Sequence, residues 1–143
     1  LRGPPEFNGP GGATNPEELL VAAVAGCYSI TFGIIAKNRK LPVEDVRTEA
    51  LGEVEQQGAQ FVYKRIAIRP VITISADATD EQVAQTQEFA MKTDPYCIIN
   101  NAVRDKVELS LEPTVVRAGA AVDGSPMALA EPPAGANEQV ELL

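Results

Sequence analysis

Leu19 to Ala36 is a run of 18 residues without a charge, with one cysteine near its middle directly after a glycine (Ala25-Gly26-Cys27). No other feature restricts the fold as much. An apolar stretch of this length belongs either in a bilayer or in a protein interior, as a helix covered on every side. Gly26, Cys27, Ser29, Thr31 and Gly33 dilute its apolarity, and the flanking chain reads as strands of an ordinary soluble domain. A buried core helix is therefore expected, with no membrane as partner.

The start of that helix is written in the chain. Asn15 suits the cap, Pro16 the first helical position, and Glu17 and Glu18 the positive end of the dipole. Asn15 with Glu18, and Thr14 with Glu17, have capping-box spacing. Lys37, Arg39 and Lys40 fit the negative end near Ala36, and Pro42 blocks extension. Leu1 to Ala13 is rich in Pro and Gly and reads as a loop. Because the first residue is Leu rather than Met, the chain is expected to be part of a longer product.

Beyond the helix the period changes. Val46 to Glu55 alternates loosely, Gln57-Gly58-Ala59 turns the chain, and Phe61 to Ser75 carries the strongest strand signal. Together they predict a hairpin, with Pro70 marking an edge, a bulge or a break. Thr79 opens a second helix that ends near Thr93. Asp94-Pro95 starts a short third one with Tyr96 and Cys97 in its first turn, and Lys106 to Glu112 alternates as a last strand. The order predicts one α+β domain over residues 1–113. From Thr114 to Leu143, Ala, Gly and Pro dominate without a period, and a tail is expected.

Missing residue types exclude much chemistry. The 143 residues contain no histidine, so there is no Ser-His or Cys-His unit and no His-bearing zinc site. Two cysteines cannot make a four-ligand zinc site, and no cofactor is expected. Their separation fits neither a disulfide-dense secreted scaffold nor a CxxC motif. No secretory signal is visible, so a cytoplasmic protein is expected. The net charge of −8 repels phosphate backbones and argues against nucleic acid as a partner. Arg65, Arg69 and Tyr63 then read as a solvated face. Gly9-Pro10-Gly11-Gly12 lacks the phosphate-binding lysine pattern.

The thiols remain. Each alone is readily a small core hydrophobe. Cys97, in the first turn of a helix, has a setting that lowers a thiol's pKa, whereas Cys27 in mid-helix would need a nearby cation or donors. As a pair they could act as nucleophile and resolving thiol. Glu17 lies ten residues before Cys27, roughly 15 Å along one helix. It reads as a helix N-terminal carboxylate, or as one that acts through a bridging Arg or across a dimer interface.

The segment Gly9-x-Gly-Gly-Ala-Thr-Asn-Pro-Glu-Glu-Leu, an Ala-rich helix and Ala-Gly-Cys27 resemble the OsmC/Ohr family of organic hydroperoxide reductases. So does Tyr96-Cys97-Ile-Ile-Asn-Asn-Ala102 before a final alternating strand; the likeness spans about Pro4 to Glu112. The resemblance implies an OsmC-like α+β fold, an antiparallel sheet packed on long central helices in an intertwined homodimer. Active sites would lie at the subunit interface. It implies a peroxidatic thiol at Cys27, a resolving thiol at Cys97, and at Glu17 an acid that helps hold a thiolate-stabilising arginine. It also implies a small organic hydroperoxide as substrate and a dithiol, lipoyl-type in the Ohr branch, as reductant. That arginine belongs to N-terminal strands expected to be missing from this chain, where Arg2 is the upstream candidate. Ile98 stands where peroxidases of the family usually have Pro.

Three readings follow. The leading one is a two-cysteine peroxidase serving oxidative-stress defence. The second is an OsmC-like dimer that binds a small apolar or thiol-reactive ligand without turnover. The third is an interaction module with two structural cysteines.

Overall fold

The computed structural model describes residues 1–120. The expected helix is α1, Pro16–Asn38. Asn15 accepts a hydrogen bond from the Glu18 amide at 2.8 Å, and the Glu18 carboxylate accepts one from the Asn15 amide at 3.4 Å, which closes the predicted capping box. At the other end Lys40 takes a left-handed conformation (φ 55). The Leu41 amide reaches back to the Ala36 carbonyl at 2.9 Å and the Lys40 amide to that of Lys37 at 3.2 Å. This is a Schellman end built without glycine.

A hairpin follows, β1 (Val43–Gln57) and β2 (Gln60–Ile74), turning at Gly58, whose φ is positive. Next come α2 (Asp80–Lys92, capped by Thr79), a 3-10 turn (Asp94–Tyr96), α3 (Ile98–Val103), β3 (Glu108–Leu111) and β4 (Thr114–Arg117). Thus the predicted order holds for the hairpin, both later helices and the last alternating strand.

Two expectations change. The sheet is mixed rather than antiparallel: β1 pairs antiparallel to β2, but β3 and β4 run parallel to it. The crossover through α2 and α3 returns the chain to the same end of β2, so the next strand must run the same way. The expected tail also begins later than Thr114, because β4 continues the sheet. Residues 121–143 of that tail lie outside the described residues.

Pro70 explains why β3 and β4 are separate. β3 pairs with Arg65–Ile68 and β4 with Val71–Ile74. The Ile68 carbonyl faces this side, accepting from the Glu112 amide at 2.9 Å. Pro70, two residues on, faces the same way with no N–H to give. The partner strand is interrupted there, at Glu112-Pro113. Pro70 thus lies in a central strand, with its missing donor at the gap.

The core forms where α1 crosses β2. Val24, Tyr28, Phe32 and Ala36, four residues apart, make one buried stripe on α1. Against the stripe pack Ile66, Ile68, Ile72 and Ile74, alternate residues on one face of β2. Each fully buried side chain of this kind contributes about 1.5–3 kcal/mol. The expectation that α1 is covered on every side is not met within one chain: Leu19, Ile30 and Ile34 are exposed. By length and composition α1 could also cross a membrane; in this fold its buried stripe packs on a sheet.

Candidate active site

The thiol site is assembled from α1, the end of α2 and the start of α3. Cys27 comes one position before the buried stripe and is therefore only half-buried. It lines an open groove of about 950 Å³ with Thr31, Ile34, Phe89, Tyr96 and Ile98. Thr31 is one helical turn beyond Cys27, on the same face.

Cys97 is wholly buried. It caps α3 rather than lying in its first turn, with extended backbone and no capping hydrogen bond from its side chain. Its amide bonds to the Asp94 carbonyl at 3.0 Å, and its Sγ points at the Thr93 carbonyl at 3.7 Å. The pKa-lowering effect expected of a helix start is outweighed. Burial pushes the Cys97 thiol up to about 11, a hydrogen bond from Thr31 opposes this, and repulsion from Cys27 and Asp94 adds to it. A six-residue helix has too weak an end to offset desolvation. The repulsion from Cys27 puts the two thiols within electrostatic reach of each other.

Behind the thiols stands Tyr28. Its hydroxyl donates to the Ala90 carbonyl at 2.9 Å, tying α1 to the end of α2. Burial, with repulsion from Cys97, raises its phenol well above the ordinary value.

Glu17 is elsewhere in the protomer. It lines a second cavity of about 580 Å³ with Arg2, Phe7, Val54, Phe61 and Tyr63. Its carbonyl accepts from the Tyr63 hydroxyl at 2.6 Å, while its Oε2 is buried without a hydrogen-bond partner. Burial, then the charges of Glu17 and Glu18, raises the Tyr63 phenol. Gly52 makes room here: a Cβ would come within 2.8 Å of both Tyr63 Cε1 and Val21 Cγ2.

Sequence reasoning named two thiols and a carboxylate that, within one chain, lines a different cavity from Cys27. It missed Thr31, whose signal was the four-residue spacing from Cys27. It also missed the cations of the groove, Arg39 and Lys92. Arg39 stacks over the Phe89 ring at 5.0 Å, and Lys92 pairs with Glu88. Arg39 is roughly 18 Å along α1 from Cys27, so it edges the groove rather than touching the thiol. Among the described residues no group of His, Cys, Asp and Glu is arranged to hold a metal.

The model of the OsmC-like protein family matches residues 9–112, a span that includes both thiols and Glu17. The chain belongs to the OsmC-like family. Among its relatives is the uncharacterized protein YmaD of Bacillus subtilis, 37% identical over 116 residues that cover 81% of this chain and 77% of YmaD. An organic hydroperoxide resistance protein-like protein of Staphylococcus aureus is 27% identical over 115 residues, 78% of this chain and 77% of that one. A crystal structure of an organic hydroperoxide resistance protein OsmC from Legionella pneumophila superposes with a TM-score of 0.64 at 26% identity, covering 80% of each chain. The α+β fold of this chain is thus similar to that of an OsmC structure.

Proposed function

We propose that this OsmC-like protein is a thiol peroxidase that reduces small organic hydroperoxides through Cys27 and Cys97. The observation that carries the reading is a Cys27 that lines an apolar groove, within electrostatic reach of a buried Cys97. Relatives named for organic hydroperoxide resistance support it.

The chemistry balances with these groups. The Cys27 thiolate attacks the distal peroxide oxygen, the O–O bond breaks, and the alkoxide takes a proton to leave as alcohol. Cys27 becomes a sulfenic acid. Cys97 attacks that sulfur, the S–S bond forms, and the displaced hydroxide takes the Cys97 proton to give water. An external dithiol, lipoyl-type by family likeness, then reduces the disulfide to two thiols by exchange. No bound cofactor enters the cycle. Leu19, Ile30 and Ile34 of α1, with Tyr96 and Ile98, form an exposed apolar surface suited to a second copy of the chain. In such a homodimer Glu17 acts on the thiol site of the partner subunit. A cytoplasmic setting supplies the reductant.

Cumene hydroperoxide consumption with dihydrolipoamide tests the proposal. The wild-type chain turns over, Cys27→Ser does not, and Cys97→Ser accumulates a trappable sulfenic acid. Full turnover by Cys27→Ser would end the mechanism.

A second reading, a dimer that binds a thiol-reactive ligand without turnover, is favoured by one observation: Cys97 is held as a thiol by burial, up to about 11. A Cys27 that is never oxidised by stoichiometric peroxide would select it.

A further inference from the structure

The turn that carries Cys97 is fastened by one ion pair. Arg104 Nη1 meets Asp94 Oδ2 at 2.8 Å, and Asn100 Nδ2 donates to Asp94 Oδ1 at 2.7 Å. Arg104 Nη2 also contacts the Asp94 carbonyl at 3.4 Å, the same oxygen that receives the Cys97 amide at 3.0 Å. From its other side the guanidinium donates to Asn101 Oδ1 at 3.3 and 3.1 Å, and Asn101 Nδ2 donates to the Pro95 carbonyl at 2.9 Å. Arg104 is partly exposed at 39%, whereas Asp94 is largely covered at 16%. The pair therefore has its carboxylate covered and its neutralising charge toward solvent.

We propose that Arg104 is a positioning residue for Cys97: it holds the 94–104 turn in shape and neutralises the carboxylate of Asp94, the residue whose carbonyl receives the Cys97 amide. This rests on the two-thiol reading above. The ionisable groups acting on Cys97 are Cys27 and Tyr28 from α1 and Asp94 from its own turn. Each is neutral or negative, and Arg104 is the cation paired with the carboxylate among them. Without it the bare carboxylate opposes the Cys97 thiolate. A thiol pushed up by one pKa unit has about tenfold less thiolate below its midpoint. Because the remaining thiolate is more nucleophilic, attack on the sulfenic acid slows about threefold.

The test compares rates of Cys97 alkylation by iodoacetamide from pH 7 to 9, below the Cys97 midpoint, in the full chain carrying Cys27→Ser, a readout that needs no peroxidase activity. Arg104→Ala slows alkylation about threefold at each pH, the loss of thiolate being partly offset by its greater nucleophilicity. Adding Asp94→Asn restores the starting rate or exceeds it. A rate unchanged or raised by Arg104→Ala, or a double variant no faster than the single, overturns the assignment, since a merely structural role predicts no such recovery. Arg104→Gln, which removes the charge but keeps an amide donor, replaces Arg104→Ala if the latter does not fold. Failure of the wild-type chain to form sulfenic acid with cumene hydroperoxide would instead overturn the peroxidase reading and leave these alkylation rates decisive for Arg104.

Discussion

The Cys27 thiol on α1 and the Cys97 thiol at the start of α3 lie within electrostatic reach of each other, although 70 residues separate them along the chain. The hairpin and α2 lie between them in sequence, and the crossover to β3 returns α3 to α1. One thiol lines an open groove while the other is sealed in the core. That asymmetry suits a division of labour between meeting the substrate and waiting for the oxidised partner.

Alkali should unfold the protein through Cys97. Its folded pKa of about 11 exceeds the ordinary thiol value of 9.0. Above 9 the unfolded chain loses this proton while the folded one keeps it, so stability is full below 9 and falls as pH rises through 11. The loss is roughly 2 kcal/mol. Urea midpoints at pH 8 and pH 10.5 should converge partly in Cys97→Ala, compared with the same pair in wild type.

Ile34 is 57% exposed and Ile30 67% on the outer face of α1. If that face joins two copies of the chain, Ile34→Asp leaves the secondary structure intact and moves the sedimentation mass from dimer to monomer. A wild-type monomer at tens of micromolar would remove the proposed role of Glu17 across the interface.

Gly52→Ala should destabilise the fold by about 1–3 kcal/mol, because the added methyl is driven into Tyr63 and Val21. It should also disturb the Tyr63–Glu17 hydrogen bond. Tyr63→Phe, which removes only that bond, should cost about 1 kcal/mol in urea denaturation. An alanine at position 52 that unfolds no earlier than Tyr63→Phe would contradict the close approach.

Lys40→Gly should act in the opposite direction. The left-handed backbone at Lys40 strains a side chain and suits glycine. A gain of about 0.5–1 kcal/mol is expected in thermal or urea unfolding.

The start of α1 was fully legible, because a cap, a proline and a first-turn acid act within four residues of one another. The end was less so: Leu41 and Lys40 close it by backbone bonds that no residue type announces. Pro70 announced an irregularity but not its form, since the meaning of a missing N–H depends on which strand lies opposite. At the candidate site, the environment of Cys97 was read with the wrong sign. A helix start was visible in Asp94-Pro95; the burial that outweighs it was not.

The sequence by itself determined the elements and the two sulfur atoms, because caps, periods and side-chain chemistry are local properties. Only the tertiary structure decided which thiol faces a groove, which is buried, and that Glu17 stands apart from both in one chain. Burial and neighbouring charge arise from residues distant along the polymer, and they set the pKa and the access of each thiol.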